Sequence, residues 1–351
     1  MIHVRFPNGF PIENQNLPFF LATEEFLARK GYGDYFFMWQ VAPTVIFGRN
    51  QRIEAEVNLD FCSRHGIRSF RRKSGGGCVY ADRNNIMFSY ITTSDTVAVT
   101  FSSFTGKVAE MLRELGIRDA VSSGRNDILI GDRKVSGYAF YHINMPVSQH
   151  GTAPLSRAIV HGTMLYDADL ATMAQAITPS AVKLDSKGVA SVRKHVTTVR
   201  EHCSVSLPDF KAFSASYLCD SSMQLVLEDI AEIRRMERPY YEHNWIYGRR
   251  DNHTIPLRRI EGVGEFAIDM HLTPDVPPHI DTINIGGDFF ITGDLDGALL
   301  TPLKGCELSR EALEEALCCT DASKIIHNLS TSDFIDLLLN TPIGGRKIDK
   351  S

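Results

Sequence analysis

The sequence lacks most of what would mark a membrane, secreted or nucleic-acid-binding protein. It has no run of about 18 apolar residues, so no membrane-spanning helix is expected. Its first residues, Met1-Ile2-His3-Val4-Arg5-Phe6-Pro7, lack the apolar core of a signal peptide. Cysteines are scattered and odd in number: seven, at Cys62, Cys78, Cys203, Cys219, Cys306, Cys318 and Cys319. No C-x-x-C pair occurs among them, so neither a disulfide framework nor a zinc cluster is signalled, and a reducing cytoplasm is the expected location. Positive charge is not in excess. The 37 Lys and Arg stand against 42 Asp and Glu, a net charge of −5, so no nucleic-acid partner is expected and any basic patch is local. Internal repeats and low-complexity segments are missing too. With 43% hydrophobic and 23% charged residues, the composition is that of an ordinary globular protein. A length of 351 residues predicts two domains.

Against that background the stretch Phe70-Arg71-Arg72-Lys73-Ser74-Gly75-Gly76-Gly77-Cys78-Val79-Tyr80 stands out. Each glycine costs roughly 0.5–1 kcal/mol relative to alanine inside a regular element. A glycine triplet therefore points to positive φ or to a ligand lying against bare backbone. With Arg71, Arg72 and Lys73 alongside, that ligand would be an anion held by backbone N–H groups. A flexible hairpin with solvated cations fits the same residues.

A second stretch, from Asp127 to Gly137, reads as an apolar strand, a tight turn at Gly131-Asp132 and a return strand. Simple alternation puts Lys134 and Ser136 on one face, opposite Val135. A lysine just past a tight turn has its base on a rigid element, as a catalytic cation needs. An edge-strand lysine that discourages aggregation is the other reading. His161-Gly162-Thr163-Met164-Leu165-Tyr166 reads as a strand, with His161 either donating to a carboxylate or phosphate or serving as a hydrogen-bonded core residue. The tract from Thr178 to Arg200 is polar and concentrates Lys183, Lys187, Arg193, Lys194 and Arg200. It is either a loop that closes over a phosphorylated ligand or a solvated surface loop.

The remaining elements frame these stretches. A helix follows Asn16, with Pro18 in its first turn and Phe20, Leu21, Glu24, Phe26 and Leu27 at helical spacing. Tyr35 to Phe47 reads as a strand pair broken at Pro43, Ala55–His65 as a helix and Ile67–Arg71 as a strand. Val79-Tyr80 and Ile86–Tyr90 read as strands around a turn at Asp82–Asn85, and Phe101–Leu115 as an amphipathic helix. Tyr138–Arg157 looks irregular, and a helical tract runs from Pro208 to about Arg238. Beyond Tyr241 the texture changes to strand-like runs at Trp245–Tyr247, Leu257–Ile260, Glu265–His271, Thr282–Gly286 and Asp288–Asp294. Helices at Ser309–Cys318, Ala322–Leu329 and Ser332–Asn340 follow. The pattern predicts an α+β class with domains at 1–241 and 242–351, the second a small α+β domain.

The loop Arg71–Tyr80 resembles the lipoate-binding loop of lipoate–protein ligase A. Gly48-Arg49-Asn50-Gln51, Gly124-Arg125-Asn126-Asp127, Asp132-Arg133-Lys134-Val135-Ser136-Gly137 and His161-Gly162-Thr163-Met164-Leu165 resemble further motifs of that family, in its order. Lys183-Leu184-Asp185-Ser186-Lys187-Gly188-Val189-Ala190-Ser191-Val192-Arg193 resembles its adenylate-binding loop. Beyond about residue 200 the resemblance rests mainly on Asn244–Gly248. It implies a biotin/lipoate ligase-like catalytic domain of mixed β-sheet and helices, with a small C-terminal accessory domain. It also implies a reaction in which lipoate and ATP form lipoyl-AMP, and the lipoyl group passes to a lysine of a lipoyl carrier domain, in 2-oxoacid dehydrogenase E2 subunits or the glycine cleavage H protein. By motif position Lys134 would be catalytic. Arg72, Ser74, Gly75, Gly76, Gly77, Asn126, Asp127, His161, Gly162 and Thr163 would face the lipoyl-AMP. Lys183, Lys187, Gly188, Ser191, Val192 and Arg193 would fold over the nucleotide.

The chemistry accounts for these residue types. A carboxylate must approach the α-phosphate of ATP, and a fixed ammonium offsets the repulsion between them. Departing pyrophosphate calls for Mg²⁺, with Asp127 as the candidate protein ligand. Val79, Tyr80 and Phe88 are candidates for an apolar acyl slot. Ala81 stands where the family commonly has a histidine, which leaves a non-catalytic lipoyl-binding protein as one alternative. Cys78 opens another, an ATP-independent octanoyl or lipoyl transferase using its thiolate; as a small apolar filler it would have no such role.

Overall fold

The computed structural model describes residues 1–31, 33–93, 97–123, 126–144, 156–177, 195–247 and 257–341. The chain divides into two compact units. The first comprises Met1–Phe47, Ile53–Arg72 and Cys78–Gly248, and the second Gly48–Arg52, Lys73–Gly77 and Arg249–Ser351.

The first unit is built on strands β1 (Ile2–Arg5), β2 (Tyr35–Trp39), β3 (Thr44–Phe47), β4 (Arg68–Arg71), β5 (Val79–Ala81) and β6 (Asn85–Thr93). These are followed by β7 (Ala120–Ser122), β8 (Asp127–Ile130), β9 (Arg133–Asn144), β10 (Ser156–Leu165) and β11 (Ser221–Gln224). Eight of them form one mixed sheet in the order β11-β1-β2-β6-β10-β9-β8-β7, and β4-β3-β5 form a second, smaller sheet. Its helices are α1 (Leu17–Lys30), α2 (Ile53–Glu56), α3 (Leu59–Arg64), α4 (Val97–Glu114), α5 (Leu170–Ala176), α6 (Leu207–Leu218), α7 (Leu227–Met236) and α8 (His243–Tyr247). One face of the large sheet packs Phe88, Phe140 and Val160 with Phe104 and Val108 of α4. The other packs Phe37, Trp39, Tyr141 and Ile159 with Phe20, Leu21 and Leu27 of α1. No helix among the described residues is long and apolar enough to cross a membrane.

Several expectations are corrected. Tyr138–Asn144 is not irregular: it continues β9, paired with β10 throughout. The tract from Pro208 is two helices separated by β11, an edge strand running parallel to β1. Its sequence Ser-Ser-Met-Gln has no apolar alternation, because three of its four residues are exposed. The expected helix at Ala55–His65 is broken into α2 and α3. Asn58 starts the second, its side chain accepting from the amide of Phe61 at 3.1 Å. Val79-Tyr80 and Ile86–Tyr90 are strands, but of different sheets.

The second unit carries β12 (Leu257–Ile260), β13 (Gly264–Leu272) and β14 (Ile280–Gly287) in an antiparallel sheet. Helices α9 (Arg310–Ala316) and α10 (Thr331–Leu339) supply Leu313, Phe334, Ile335 and Leu338 to a core with Phe266, Ile283 and Phe289. Ser309 and Ser330 cap these helices, their hydroxyls accepting from the amides of Ala312 and Asp333. The run Trp245–Tyr247 belongs to α8 rather than to a strand, Asp288–Asp294 forms only an isolated bridge at Ile291, and Ala322–Lys324 is a single 3-10 turn. The mixed sheet with helices and the α+β class agree with expectation.

Candidate active site

The β8–β9 hairpin positions the lysine. Gly131 turns the chain with φ +62, a conformation glycine adopts without penalty, and Ile130 pairs with Arg133. The register then slips: Leu129 lies opposite Lys134 and Ile128 opposite Ser136, leaving Val135 as an inserted residue. This bulge overturns the alternation expected from the sequence. Val135 and Ser136 both turn inward, 0% and 1% exposed, while Lys134 falls on the face of Asp127.

On that face Lys134 Nζ lies 2.7 Å from Asp127 Oδ1, with the two side chains 40% and 29% exposed. Both side chains are partly exposed, while Asp127 Oδ1 itself is shielded from solvent. Gly137 sits directly opposite Asp127. A Cβ there would collide with Cε and Nζ of Lys134 and come within 3.1 Å of Asp127 Oδ1. Lys134 pairs with Leu129 of β8 on one side and bridges Val196 on the other, so it is not on a free sheet edge, and the aggregation-blocking reading fails. Behind it, the amide of Thr197 donates to the Lys134 carbonyl at 2.9 Å. Thr197 and Arg133 both donate to Glu201, at 3.0 and 2.8 Å.

The neighbouring strand completes the row. Thr163 lies opposite Gly137, so Asp127, Gly137 and Thr163 align across three strands. His161 follows two residues along β10 on the same face. A side chain on Gly162 would strike the Gly137 carbonyl and the Tyr138 ring. Asn126 donates from Nδ2 to the Tyr138 carbonyl, and the Tyr138 amide donates to the Asn126 carbonyl, both at 2.8 Å.

His161 is also the hydrogen-bonded core residue of the two readings. Its Nδ1 lies 2.8 Å from Glu24 Oε2. The Ser89 hydroxyl donates to the other Glu24 oxygen at 2.5 Å, and Trp39 Nε1 donates to Ser89 at 2.8 Å. Glu24 and Ser89 are wholly buried. Glu24, Ser89 and Trp39 were not singled out from the sequence as site residues. The available signal was an acidic residue between Phe20 and Ala28 in the apolar stripe of α1.

The cations of the glycine stretch diverge. Arg71 is buried, donating to the carbonyls of Trp245 and Ile246 at 2.8 and 2.9 Å and lying over the Phe47 ring. Burial lowers its guanidinium to about 10, with Glu54 acting the other way, so it stays charged at neutral pH. Arg72 donates from Nη1 to the Ile46 carbonyl at 3.1 Å. Ser74, Gly75, Gly76 and Gly77 belong to the second unit. There the Gly76 amide donates to the Phe289 carbonyl at 3.2 Å, with φ +84 at Gly76. A Cβ on Gly75 would collide with the same carbonyl. Positive φ and close backbone approach thus account for two of the three glycines.

The acyl-slot candidates are not brought together. Phe88 is in the core on the α4 face, Val79 packs against the α1-face core, and Tyr80 lies in a third cluster with Val45 and Phe47. Burial, then the carboxylates of Asp82 and Asp169, push the Tyr80 hydroxyl up. Cys78 is half-buried against that third cluster, and Ala81 is fully buried beside the α1-face core. Lys183, Lys187, Gly188, Ser191, Val192 and Arg193 lie outside the described residues, as do Gly124 and Arg125.

Among the described residues no group of three or more His, Cys, Asp or Glu could hold a metal ion. Asp127 is the carboxylate beside Lys134 that a divalent cation could share with other oxygen ligands.

Comparison with known proteins gives the family of the chain. Residues 17–218 match the lipoyl protein ligase A/B catalytic domain, and residues 263–338 the bacterial lipoate protein ligase C-terminus. The chain is 29% identical to lipoate-protein ligase LplJ of Bacillus subtilis (strain 168), over 93% of this chain and 99% of that protein. It is 30% identical to lipoate–protein ligase 1 of Staphylococcus aureus, over 91% of this chain and 95% of that protein. Among solved structures, P. falciparum LipL1 in complex with lipoate superposes with a TM-score of 0.70 and 18% identity, over 96% of this chain and 98% of that one.

Proposed function

Because the chain belongs to the lipoyl protein ligase A/B family, we propose that it is an ATP-dependent lipoate–protein ligase, with Lys134 as its catalytic residue. The observation that supports this most is the Lys134–Asp127 pair, held 2.7 Å apart above Gly137. In the first half-reaction a carboxylate oxygen of lipoate bonds to the α-phosphorus of ATP, and the bond from that phosphorus to the bridging oxygen breaks, its electron pair leaving on pyrophosphate. Two unit negative charges about 4 Å apart repel by roughly 4 kcal/mol at an effective dielectric of 20. The Lys134 ammonium between them offsets that cost in the transition state. In the second, the acceptor lysine amine attacks the acyl carbon of lipoyl-AMP, and Lys134 steadies the oxyanion. The acyl C–O bond breaks with its electron pair leaving on AMP, and the nitrogen gives up a proton to solvent. Asp127 orients the ammonium and would hold Mg²⁺, which supplies charge neutralisation to the pyrophosphate.

Within this reading, Arg72, Asn126, His161, Gly162 and Thr163, all of the first unit, contact the lipoyl-adenylate, and residues 183–193 are its nucleotide-binding stretch. Residues 1–241 form the catalytic domain and 242–351 the accessory domain. The acceptors are lipoyl carrier domains of 2-oxoacid dehydrogenase E2 subunits and the glycine cleavage H protein. The reducing cytoplasm fits a chain whose seven cysteines form no disulfide. Packing of Cys78 against an apolar cluster supports its role as a filler over that of a thiolate nucleophile. The test is incubation with lipoate, Mg-ATP and purified lipoyl domains, read by intact mass: one lipoyl group should be added, dependent on ATP. Transfer of an octanoyl or lipoyl group from a loaded carrier domain to an unloaded one without ATP, lost in Cys78→Ser, would favour the transferase instead.

A further inference from the structure

The second unit carries a pair of thiols that the ligase reaction does not use. After α9 the chain turns through Cys318 and Cys319, with the Cys318 amide donating to the Glu315 carbonyl at 3.2 Å and the Thr320 amide to the Leu317 carbonyl at 2.8 Å. Thr320 anchors the turn. Its hydroxyl donates to the Ala298 carbonyl at 3.2 Å, and its carbonyl accepts from Thr331 Oγ1 at 3.1 Å. Both cysteines are exposed, and their sulfurs stand 3.6 Å apart.

That spacing fits two sulfurs on one soft centre: sulfurs about 2.3 Å from a tetrahedral ion stand roughly 3.8 Å from each other. Four-coordinate zinc is a poor occupant, because among the described residues no third His, Cys, Asp or Glu joins the pair. A divalent cation also requires thiolates. The hydrogen bond and charge of Cys319, followed by slight desolvation and the Glu315 carboxylate, raise the Cys318 thiol above its ordinary value. The occupant that fits has high sulfur affinity, needs only two protein ligands, brings its own remaining substituent and reacts with thiols themselves. A trivalent arsenical meets all of these conditions.

We propose that Cys318 and Cys319 form an exposed dithiol site for trivalent arsenicals. With an organoarsenic oxide, two As–S bonds form, the arsenic–oxygen bond is broken, and both thiol protons leave with the oxygen as one water. Neither arsenic nor sulfur changes oxidation state.

The full chain, freshly reduced, is treated with one equivalent of phenylarsine oxide and read by intact mass. One phenylarsenic group per chain is expected, resistant to excess 2-mercaptoethanol and removed by 2,3-dimercaptopropanol. Cys318→Ser and Cys319→Ser should each reduce the monothiol-resistant adduct at least tenfold, whereas Cys306→Ser in the same unit should leave it intact. Matching circular dichroism melts establish that the variants fold. A resistant adduct that persists in the Cys318→Ser/Cys319→Ser double variant would overturn the proposal, as would complete stripping of the wild-type adduct by 2-mercaptoethanol.

Discussion

Lys134 and Gly137 are complementary in shape: the end of the lysine side chain fills the space that a Cβ on Gly137 would take, and from there Nζ reaches Asp127 Oδ1 at 2.7 Å. Gly137→Ala should therefore push the ammonium off the carboxylate without emptying the core. Misplacing a reacting group by about 1 Å can cost roughly 10²-fold in rate. We expect a loss of that order in kcat for lipoate-dependent ATP turnover, with the thermal melt nearly unchanged. Wild-type kcat in Gly137→Ala would show that the lysine's position does not depend on the glycine.

Glu24 is the hub of a buried polar chain, accepting from Ser89 and lying against His161 Nδ1. Glu24→Ala leaves both partners buried without it. Orphaning a buried polar group costs about 1–3 kcal/mol. The urea midpoint should fall accordingly, with the slope of the transition unchanged. A shift below about 0.5 kcal/mol, within the range of ordinary surface substitutions, would mean that the chain contributes little to stability.

The glycine triplet offers an internal contrast. An added Cβ on Gly75 meets the Phe289 carbonyl, whereas on Gly77 it meets nothing within 4 Å. Gly75→Ala should destabilise its surroundings by roughly 1–3 kcal/mol, as overpacking does, and Gly77→Ala should be tolerated. Hydrogen exchange at the Gly76 amide, which donates to Phe289, reads the difference. Equal protection in both variants would contradict the packing described.

Glu201 makes a prediction about acid. Burial alone would raise its carboxyl, but hydrogen bonds from Arg133 and Thr197 outweigh this and lower it from 4.5. A carboxyl depressed by folding stabilises the fold above its unfolded value, and that contribution is lost as pH falls through the lower folded value. Glu201→Gln should therefore melt lower than wild type at neutral pH and converge on it as the pH falls below 4.5 and through the lowered folded value. A constant gap down to pH 3 would show that the ionised carboxylate is not what matters.

Much of the fold was legible because particular residues punctuate it. Gly131 announces the hairpin that carries Lys134, Asn16 and Pro18 announce α1, and Ser309 announces α9. The bulge at Val135 was not legible: an inserted residue leaves no mark in a strand whose neighbours are Lys and Ser, yet it decides which face the lysine takes. The edge strand Ser221–Gln224 was hidden because its exposed side chains need no apolar period. The Trp245–Tyr247 run misled because aromatic residues suit strands, whereas here Trp245 packs in a short helix and donates from its indole to the Arg71 carbonyl at 3.0 Å. In the site, Thr163 and His161 share one sheet face by alternation along β10, as Asp127 and Lys134 do across the hairpin, and the bulge is what brings the two pairs onto the same face. Glu24 joins them from a helix, a tertiary contact that no local pattern encodes.

Lipoate-dependent exchange of labelled pyrophosphate into ATP isolates the first half-reaction and bears directly on Lys134. The wild-type chain should catalyse the exchange, and Lys134→Ala should abolish it while still folding. Exchange at the wild-type rate in Lys134→Ala would contradict the central assignment.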